Sequence, residues 1–335
     1  MRGTILVAGG AGYVGSHACK ALASAGYLPV VYDNMSTGHE SFVRWGPLVR
    51  GDIHDTARVS ATLQDHKAVA VMHFAADAYV RDSIIDPAKY YTNNVTGTLS
   101  LLAGMRSARC NKIVFSSTCA VYGEPASLPI VESTTLAPVN PYGASKSMVE
   151  RIFADFHVAY DFRSISLRYF NACGADEAAE IGELRDPETH LIPRAMMALQ
   201  GYIDDFQVYG ADFDTLDGTA VRDYVHVADL ADAHCAALDL LLRGGSTSIF
   251  NLGTGVGTSV KQVLDAVQAV TGRMLPAISG QRQPGDPSEL VADAALARRV
   301  LGFAPRRSDL QSIIGTAWAW HTKAHPRRDI PGATQ

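Results

Sequence analysis

The sequence has few cysteines, and none of them stands in a metal-binding or redox pattern. The five cysteines of this 335-residue chain are scattered, odd in number and without a C-x-x-C pair. This distribution argues against a disulfide framework or a zinc site and favours a reducing compartment, so we predict a cytoplasmic protein. The positions are Cys19, Cys110, Cys119, Cys173 and Cys235.

The chain also lacks a long apolar run and a strong excess of charge of one sign. Its N-terminal apolar run is as short as a strand and has no charged segment before it, so neither a signal peptide nor a membrane span is expected. The net charge of −5 offers no basic surface for nucleic acid or an anionic membrane. Repeats and low-complexity segments are not evident, and only residues 327–335 are expected to fray.

A glycine-rich turn follows that first apolar run directly. The turn reads Gly9-Gly10-Ala11-Gly12-Tyr13-Val14-Gly15, and a helix is expected over residues 13–25. Glycines by themselves often serve only a structural turn. Here a second strand over residues 28–32 ends at Asp33, whose carboxylate can accept hydrogen bonds from a ribose and would repel a 2′-phosphate. The register of strand, turn, helix, strand and acid predicts a site for NAD rather than NADP.

The first half of the chain alternates short apolar strands with helices. We expect strands at 48–51, 69–74, 112–116 and 164–169, with helices at 88–109 and 141–160 between them. This alternation predicts an α/β fold, a Rossmann-like, doubly wound parallel sheet covered on both faces. The sheet pattern is interrupted over residues 173–218 and resumes with a helix at 223–242 and a strand at 248–252. The last helix is expected at 310–321.

This interruption predicts a smaller, discontinuous α/β substrate-binding domain. We assign residues 1–172 and 219–252 to the NAD-binding domain and residues 173–218 and 253–330 to the second one. A second glycine cluster, Gly253-x-Gly255-x-Gly257, also lies between a strand and a helix. No acid ends a following strand there, so we interpret it as structural, with Thr258 or Ser259 as the helix N-cap.

Tyr142 and Lys146 are the candidate catalytic pair. Their spacing of four puts both side chains on one face of the helix at 141–160. An ammonium beside a phenol is expected to lower the tyrosine pKa from about 10, which makes a general base for the oxidation of an alcohol. The pattern Y-x-x-x-K is common on ordinary amphipathic helices. It gains weight here because Ser116-Ser117-Thr118 ends a strand at the edge where α/β active sites lie.

Taken together, these motifs resemble the extended short-chain dehydrogenase/reductases, and among them the UDP-glucose 4-epimerases. The resemblance covers essentially the whole chain. Besides the turn, Asp33, Tyr142 and Lys146, it is carried by Gly51-Asp52-Ile53, His73-Phe74-Ala75-Ala76, Asn93-Asn94-Val95, Phe115 to Gly123, Leu167 to Asn171, Val221 to Val227 and Pro284-Gly285-Asp286-Pro287.

The resemblance implies a role for each matching residue. Tyr142 would be the base, Lys146 would lower its pKa and hold the nicotinamide ribose, and Thr118 would relay the proton from the sugar O4. The residues implied for NAD are Gly9, Gly12, Tyr13, Val14, Gly15, Asp33, Asn34, Asp52, Ile53, Phe74, Ala75, Ala76, Asn93, Thr118, Tyr142, Lys146 and Phe170. Those implied for the UDP-sugar are Thr118, Tyr142, Asn171, His190, Leu191, Gln207, Tyr209, Arg222, Arg282, Asp286 and Leu290.

The implied reaction interconverts UDP-glucose and UDP-galactose. Hydride passes from the sugar C4 to NAD and returns to the opposite face of a 4-keto sugar, so no net redox change occurs and no metal is required. The family also implies a homodimer that pairs through the helices at 88–109 and 141–160. Both helices carry apolar residues on more than one face, for example Leu99, Met105 and Met148.

Several positions bear on the alternatives. Nucleotide-sugar dehydratases place acidic residues after the threonine, where this chain has Cys119 and Ala120. Leu290 is intermediate in size at a position that gates an N-acetyl group, so a UDP-N-acetylhexosamine or UDP-pentose substrate stays open. Gln283 stands where an arginine usually meets the UDP phosphates, and Arg282 is the substitute we expect. A non-catalytic NAD-binding sensor would lack the tyrosine or the lysine, and both are present.

Overall fold

The strands and helices follow the predicted alternation. The computed structural model describes residues 2–275, 277–282 and 286–325. The strands are β1 (Thr4–Ala8), β2 (Leu28–Asp33), β3 (Leu48–Arg50), β4 (Ala68–His73), β5 (Lys112–Thr118), β6 (Arg163–Tyr169), β7 (Asn171–Cys173), β8 (Gln207–Tyr209), β9 (Val221–Arg222), β10 (Tyr224–His226), β11 (Ser248–Leu252), β12 (Thr258–Ser259), β13 (Ile278–Gly280) and β14 (Glu289–Leu290). The helices are α1 (Tyr13–Ser24), α2 (Thr56–Asp65), α3 (Val80–Ile85), α4 (Pro87–Tyr90), α5 (Gly97–Ser107), α6 (Pro141–Tyr160), α7 (Leu191–Leu199), α8 (Val227–Leu242), α9 (Val260–Thr271), α10 (Ala295–Leu301) and α11 (Leu310–Ala324).

Seven of these strands form one parallel sheet in the order β11-β6-β5-β4-β1-β2-β3. The order reverses between β1 and β4, so the loops that follow these two strands diverge and leave a crevice at the carboxyl edge of the sheet. Four residues of β1, Ile5 to Ala8, are fully buried, as expected for a parallel strand covered on both faces. The predicted Rossmann-like, doubly wound fold is confirmed.

Two apolar cores lie on the two faces of the sheet. On one face, α1 and α8 pack through residues such as Leu22 and Leu238. On the other face, α2, α5 and α6 contribute Val59, Leu102 and Phe153. The carboxyl edge, where the loops meet, is left accessible by this arrangement.

The second lobe has its own apolar cluster. Ile192 of α7, Val263 of α9 and Ile313 of α11 pack together there, so the cluster draws on both chain stretches that the sequence assigned to this domain. Tyr224 joins the same cluster although the predicted boundaries put it in the NAD-binding domain. Short strand pairs complete this lobe, with β8 beside β13, β7 beside β10, and β9 between β12 and β14. The domain boundaries themselves stay a prediction.

Two helix predictions were wrong in detail. The helix expected over 88–109 is divided into α4, a π-helical segment at Tyr91–Thr96, and α5. The helix expected to begin at residue 223 begins at Val227, because Tyr224–His226 pairs with β7 as a parallel strand. The His226 side chain then accepts a hydrogen bond from the Ala228 N–H and caps the helix. Alternating apolar residues in this stretch were the overlooked strand signal.

The remaining structural predictions concern cysteines, loops and termini. All five cysteines are free. The side chain of Ser259 caps α9 in a capping box with Gln262, as expected.

Helix α7 was not predicted, and the tail at 327–335 lies outside the described residues. Among the residues that the structure covers, no helix combines the length and apolarity that a membrane crossing requires.

Candidate active site

The glycine-rich turn leaves the start of α1 open. Gly12 is the N-cap, no side chain caps the helix, and its first turn contains no acidic residue. Gly9 has a φ of +79°, and a Cβ there would lie 2.4 Å from the backbone nitrogen of Ala75. A Cβ at Gly15 would lie 2.2 Å from the carbonyl oxygen of Gly9. The turn therefore needs glycine for close packing, and the uncapped first turn of α1 that follows it suits a phosphate.

Asp33 lies at the carboxyl end of β2, as predicted. Its carboxylate is buried and accepts hydrogen bonds from the backbone N–H groups of Ala11 and Met35, at 3.0 and 2.9 Å. These bonds fix a negative charge beside the glycine-rich turn. Such a charge accepts hydrogen bonds from a ribose and disfavours a 2′-phosphate.

Asn34 and Asp52 form the next part of the cleft wall. The Asn34 amide donates to Asp52 at 2.9 Å, and His54 contacts the other carboxylate oxygen at 2.6 Å. Burial by itself would raise the pKa of Asp52, but the hydrogen bonds from His54 and Asn34 lower it below its usual value. Ile53 is buried against α5, and this packing fixes the position of the loop that carries Asp52.

The loop after β4 carries Phe74, Ala75 and Ala76. The N–H groups of Phe74 and Ala75 both donate to the Ala8 carbonyl, which ties this loop to the end of β1. Asn93 lies in the π-helical segment that borders it. The sequence interpretation missed its neighbour Asn94, whose buried amide bonds with the backbone of Asp77 and with Ser145 of α6.

Tyr142, Thr118 and Lys146 meet at the carboxyl edge of β5. Asn140 caps α6 by accepting a hydrogen bond from the Gly143 N–H, which sets Tyr142 in the first turn. The Thr118 hydroxyl lies close enough to the Tyr142 hydroxyl to lower the pKa of the tyrosine through a hydrogen-bonding interaction. The Lys146 ammonium donates to the Ser116 carbonyl at 2.9 Å and lies 5.9 Å from the centre of the Tyr142 ring. The predicted catalytic residues are therefore brought together.

Desolvation dominates the ionisation of this group. It raises the pKa of Tyr142 well above its ordinary value, in spite of the Thr118 hydrogen bond and the charge of Arg185. It lowers the pKa of Lys146 to about 7, although Glu150 acts in the opposite direction. In the polypeptide by itself the pKa of Tyr142 is therefore raised, because burial makes both charged forms costly, and the effect of Lys146 on the tyrosine pKa stays a prediction.

A buried ion pair joins helix α6 to strand β6. Glu150, one turn after Lys146, binds the Arg168 guanidinium, with the two side chains 4% and 3% exposed. Ser117 donates to Glu150 at 2.6 Å, and Tyr122 contacts Arg168 at 2.8 Å. The network fixes the end of β5 relative to α6, and sequence reasoning did not single it out.

The predicted substrate residues lie on the second lobe and at its border. Leu290 pairs in register with Arg222 across β14 and β9. Leu290 is buried in a small cluster with Phe170 and Cys119, and Cys119 is the residue after Thr118. Arg222 donates to two backbone carbonyls rather than to Asp223, and its charge acts on Cys119. This places the Arg222 side of the second lobe against the catalytic edge.

Other predicted substrate residues are more loosely assembled. Gln207 and Tyr209 lie on β8, and the Arg81 guanidinium of α3 stacks over the Tyr209 ring at 4.7 Å. The Arg282 guanidinium donates to the Asp286 carbonyl at 3.1 Å. Asn171 begins β7. Gln283, Pro284 and Gly285 lie outside the described residues.

His190 and Leu191 begin α7, and His190 belongs to an acidic cluster. Its Nδ1 lies 2.6 Å from Glu183, and Glu183 also pairs with Arg185 at 2.9 Å. Burial and the Glu183 charge raise the pKa of Glu188 above its usual range. Ligand atoms of Glu183, Glu188 and His190 all lie within 4.8 Å of one another, but Arg185, His190 and backbone N–H groups already bind these carboxylates.

The second glycine cluster serves the fold. The Asp223 carboxylate accepts hydrogen bonds from the N–H groups of Thr254, Gly255 and Ala292. The N–H groups of Thr254 and Gly255 are therefore occupied by an internal acid, in agreement with the structural interpretation.

A sequence model of the NAD dependent epimerase/dehydratase family matches residues 5–253. The chain belongs to this family. It is 52% identical over 319 residues to the UDP-glucose 4-epimerase of Rhizobium meliloti, covering 95% of this chain and 97% of that one. It is 51% identical over 322 residues to that of Rhizobium leguminosarum bv. trifolii, covering 96% and 98%. The crystal structure of Brucella ovis UDP-glucose 4-epimerase in complex with NAD is similar, with a TM-score of 0.93, 53% identity, and coverage of 95% and 98%.

Proposed function

We propose that this protein is a UDP-glucose 4-epimerase that uses NAD to oxidise and re-reduce C4 of the sugar. The observation that carries the proposal is the meeting of Tyr142, Thr118 and the buried Lys146 at the carboxyl edge of β5, where Lys146 is bonded to the Ser116 carbonyl and lies 5.9 Å from the centre of the Tyr142 ring. Two relatives with about half of their residues identical are named UDP-glucose 4-epimerases.

The cleft fits a dinucleotide. The uncapped start of α1 suits a pyrophosphate, and Asp33 suits the adenosine ribose. The close contacts of Gly9 and Gly15 leave no room for side chains in the turn. We expect Lys146 to hold the nicotinamide ribose, and its position on the same face of α6 as Tyr142 supports this role.

Tyr142 is the general base that takes the proton from the sugar O4, and Thr118 relays it. A hydroxyl both donates and accepts, so Thr118 can hold the substrate oxygen and Tyr142 together. When bound, NAD would supply the hydride acceptor for C4 and the hydride for the return to the opposite face. The protonated Lys146 and the positive charge of the oxidised cofactor both favour the phenolate, which offsets the burial that raises the pKa of Tyr142.

Arg222 and Arg282 hold the UDP group. A guanidinium suits a pyrophosphate, because its planar donors match two oxygens at once. Binding energy from UDP, which is remote from C4, keeps the 4-keto sugar in the pocket while it turns over. Asn171, His190, Leu191, Gln207, Tyr209 and Asp286 complete the proposed substrate site.

An unsubstituted hexose is the substrate that we propose. Leu290 is only 8% exposed and packs against Phe170 and Cys119, so the pocket wall near the sugar is filled by its side chain. A UDP-N-acetylhexosamine or a UDP-pentose is the alternative for the assay to decide.

Dehydration is disfavoured by the residues that follow Thr118. Burial raises the pKa of the Cys119 thiol to about 12, so it is a poor acid or base near neutral pH. Ala120 has no titratable group. A dehydratase needs an acid and a base at these positions to remove a proton and a hydroxyl, so the structure favours epimerisation over elimination.

A homodimer is proposed from the outer faces of α5 and α6. Leu99 is 39% exposed and Met148 is 47% exposed, although both helices are otherwise packed on the sheet. Exposed apolar residues on adjacent helices suit a four-helix interface with a second copy. A monomeric mass at micromolar concentration would contradict this.

The proposed reaction connects the glucose and galactose forms of the nucleotide sugar, so its place is in galactose metabolism. All five cysteines are free, which fits a reducing compartment such as the cytoplasm.

The test begins with denaturing the purified protein and identifying the released nucleotide, which we expect to be NAD. A panel of UDP-sugars is then followed by proton NMR without added reductant, and UDP-glucose and UDP-galactose are expected to interconvert. Tyr142→Phe should lower kcat by a factor on the order of 10² to 10⁴. The matched control is Tyr160→Phe at the exposed end of the same helix, which should keep wild-type kcat.

Near-normal turnover by Tyr142→Phe would refute the assignment of the base. Retention of NAD without turnover of any sugar in the panel would favour the non-catalytic sensor. Turnover confined to N-acetylated or pentose substrates would move the proposal to the alternative substrate class.

A further inference from the structure

Arg185 is a cation of the cleft to which the sequence analysis gave no role. Its side chain is 20% exposed, and its guanidinium lies 5.1 Å from the centre of the Tyr79 ring, in the loop after β4. Its charge also acts on Tyr13 at the start of α1 and on Tyr142 at the start of α6. The guanidinium therefore lies at the loop after β4, near enough to the starts of α1 and α6 for its charge to act on Tyr13 and Tyr142.

The segment that carries Arg185, residues 183–190, contacts the loops after β2 and β4 and is here called the strap. Trp320 of α11 donates to the Glu183 carbonyl at 2.9 Å, which anchors the strap to the second lobe. His39, in the loop after β2, contacts the Leu184 carbonyl at 2.8 Å. The strap thus connects the loop after β2 with the one after β4.

Within the part of the chain that the structure describes, the Arg185 guanidinium keeps N–H donors for a ligand. Its Nε pairs with Glu183, and its interaction with the Tyr79 hydroxyl lowers the pKa of that tyrosine. A guanidinium has five N–H donors in a planar fork, so these two contacts among described residues leave donors for an anion. Glu183 and the Tyr79 ring hold the side chain in position before a ligand arrives, which reduces the ordering cost of binding.

We propose that Arg185 binds the pyrophosphate of the dinucleotide, facing the open N-terminus of α1 from across the cleft. This inference rests on the proposed function, since it takes the cofactor to lie in this cleft. The UDP-sugar also has a pyrophosphate. The dinucleotide is favoured because the strap contacts the loops after β2 and β4, whereas Arg222 and Arg282 lie on the strands and loops of the second lobe.

The experiment measures how fast the holoenzyme releases NAD. Purified protein is diluted into NAD-free buffer, and bound nucleotide is quantified over time. Arg185→Gln is expected to release NAD about 10- to 100-fold faster than wild type, the loss typical of a charge-assisted contact. Arg185→Lys should be intermediate, because it keeps the charge but not the fork.

The matched control is Arg194→Gln. Arg194 is 25% exposed, donates to the strap at the Glu188 carbonyl and points to Asp205. Its release rate should stay within about twofold of wild type. Arg185→Gln leaves the buried Glu183 without its cation, so Glu183→Gln/Arg185→Gln is measured as well and should show the same fast release without that unpaired charge.

An unchanged NAD release rate in Arg185→Gln and in the double variant would overturn the inference. So would unchanged NAD release with weaker binding of UDP to the holoenzyme, because Arg185 would then serve the substrate. If wild type contains no NAD and turns over no UDP-sugar, the proposed function fails and this inference with it. Normal wild-type turnover and NAD content leave only the role of Arg185 at stake.

Discussion

Replacing Glu150 by glutamine is expected to destabilise the protein by about 3 kcal/mol, because it removes the counter-charge from a guanidinium that water cannot reach. Arg168 is 3% exposed, and its Nε and Nη2 both contact the Glu150 carboxylate. After the substitution, Tyr122 and the Glu132 carbonyl still accept hydrogen bonds from Nη1, but no carboxylate remains in contact with the buried charge.

The size of the effect follows from the surroundings of the pair. Removing one partner of a buried ion pair typically costs about 3 to 5 kcal/mol. The lower end applies here, because a glutamine oxygen still accepts the Ser117 hydrogen bond and one from Arg168. For a chain of 335 residues this corresponds to a decrease in Tm of about 4 °C.

The assay is scanning calorimetry of the holoenzyme with NAD in excess. Three variants are compared with wild type: Glu150→Gln, the double variant Glu150→Met/Arg168→Met, and Arg151→Gln. The double variant should recover much of the lost stability, because no charge is left unpaired in the core. Arg151 lies on the solvent side of the same helix and pairs with Asp155 at 79% and 62% exposure, so its replacement should shift Tm by no more than about 1 °C.

Equal Tm values for Glu150→Gln and Arg151→Gln would refute the reasoning, since the buried pair would then be no more important than an exposed one. A double variant less stable than Glu150→Gln would also refute it, because the loss would come from packing rather than from the unpaired charge.

Two further predictions concern the turn and the buried histidines. Gly15→Ala would place a Cβ 2.2 Å from the Gly9 carbonyl and should reduce both the NAD content and Tm, whereas the control Gly315→Ala in α11 meets nothing within 4 Å and should keep both. Burial lowers the pKa of His17, His73 and His234 to about 4, 3 and 4, so the unfolded chain binds protons below about pH 6.5 that the folded chain does not. Calorimetric Tm should therefore fall as pH decreases from 7 to 5, and less steeply in His73→Gln. A constant Tm over this range would contradict the second prediction.

The cofactor half of the molecule could be predicted because its signals are local. The strand before Gly9, the helix after Gly12 and the acid at Asp33 lie within 30 consecutive residues, and each is specified by backbone geometry or burial of its own segment. The Y-x-x-x-K spacing likewise placed Tyr142 and Lys146 on one helical face without any knowledge of the rest of the fold.

The second lobe was harder to predict, since its elements are short and stabilise one another across long sequence separations. The strand at Tyr224–His226 exists because it pairs with Asn171–Cys173, some fifty residues away. In the π-helical segment, Asn94 bonds with Asp77 and Ser145, which are distant from it in sequence. No pattern in the local sequence predicts these contacts.

The sequence by itself determined the cofactor motif, the positions of the strands along the first half of the chain and the choice of Tyr142 and Lys146 as the candidate catalytic pair, because these depend on periodicity and residue type. Tertiary structure decided the ionisation of that pair, since burial raises the pKa of Tyr142 and lowers that of Lys146. It also decided which charged residues that are distant in sequence lie in contact. Glu150 pairs with Arg168, and Arg185 lies beside Tyr79 in the loop after β4. Burial and contacts between distant residues set the free energy of an ionised side chain. Neither can be inferred from the residues adjacent to it in the sequence.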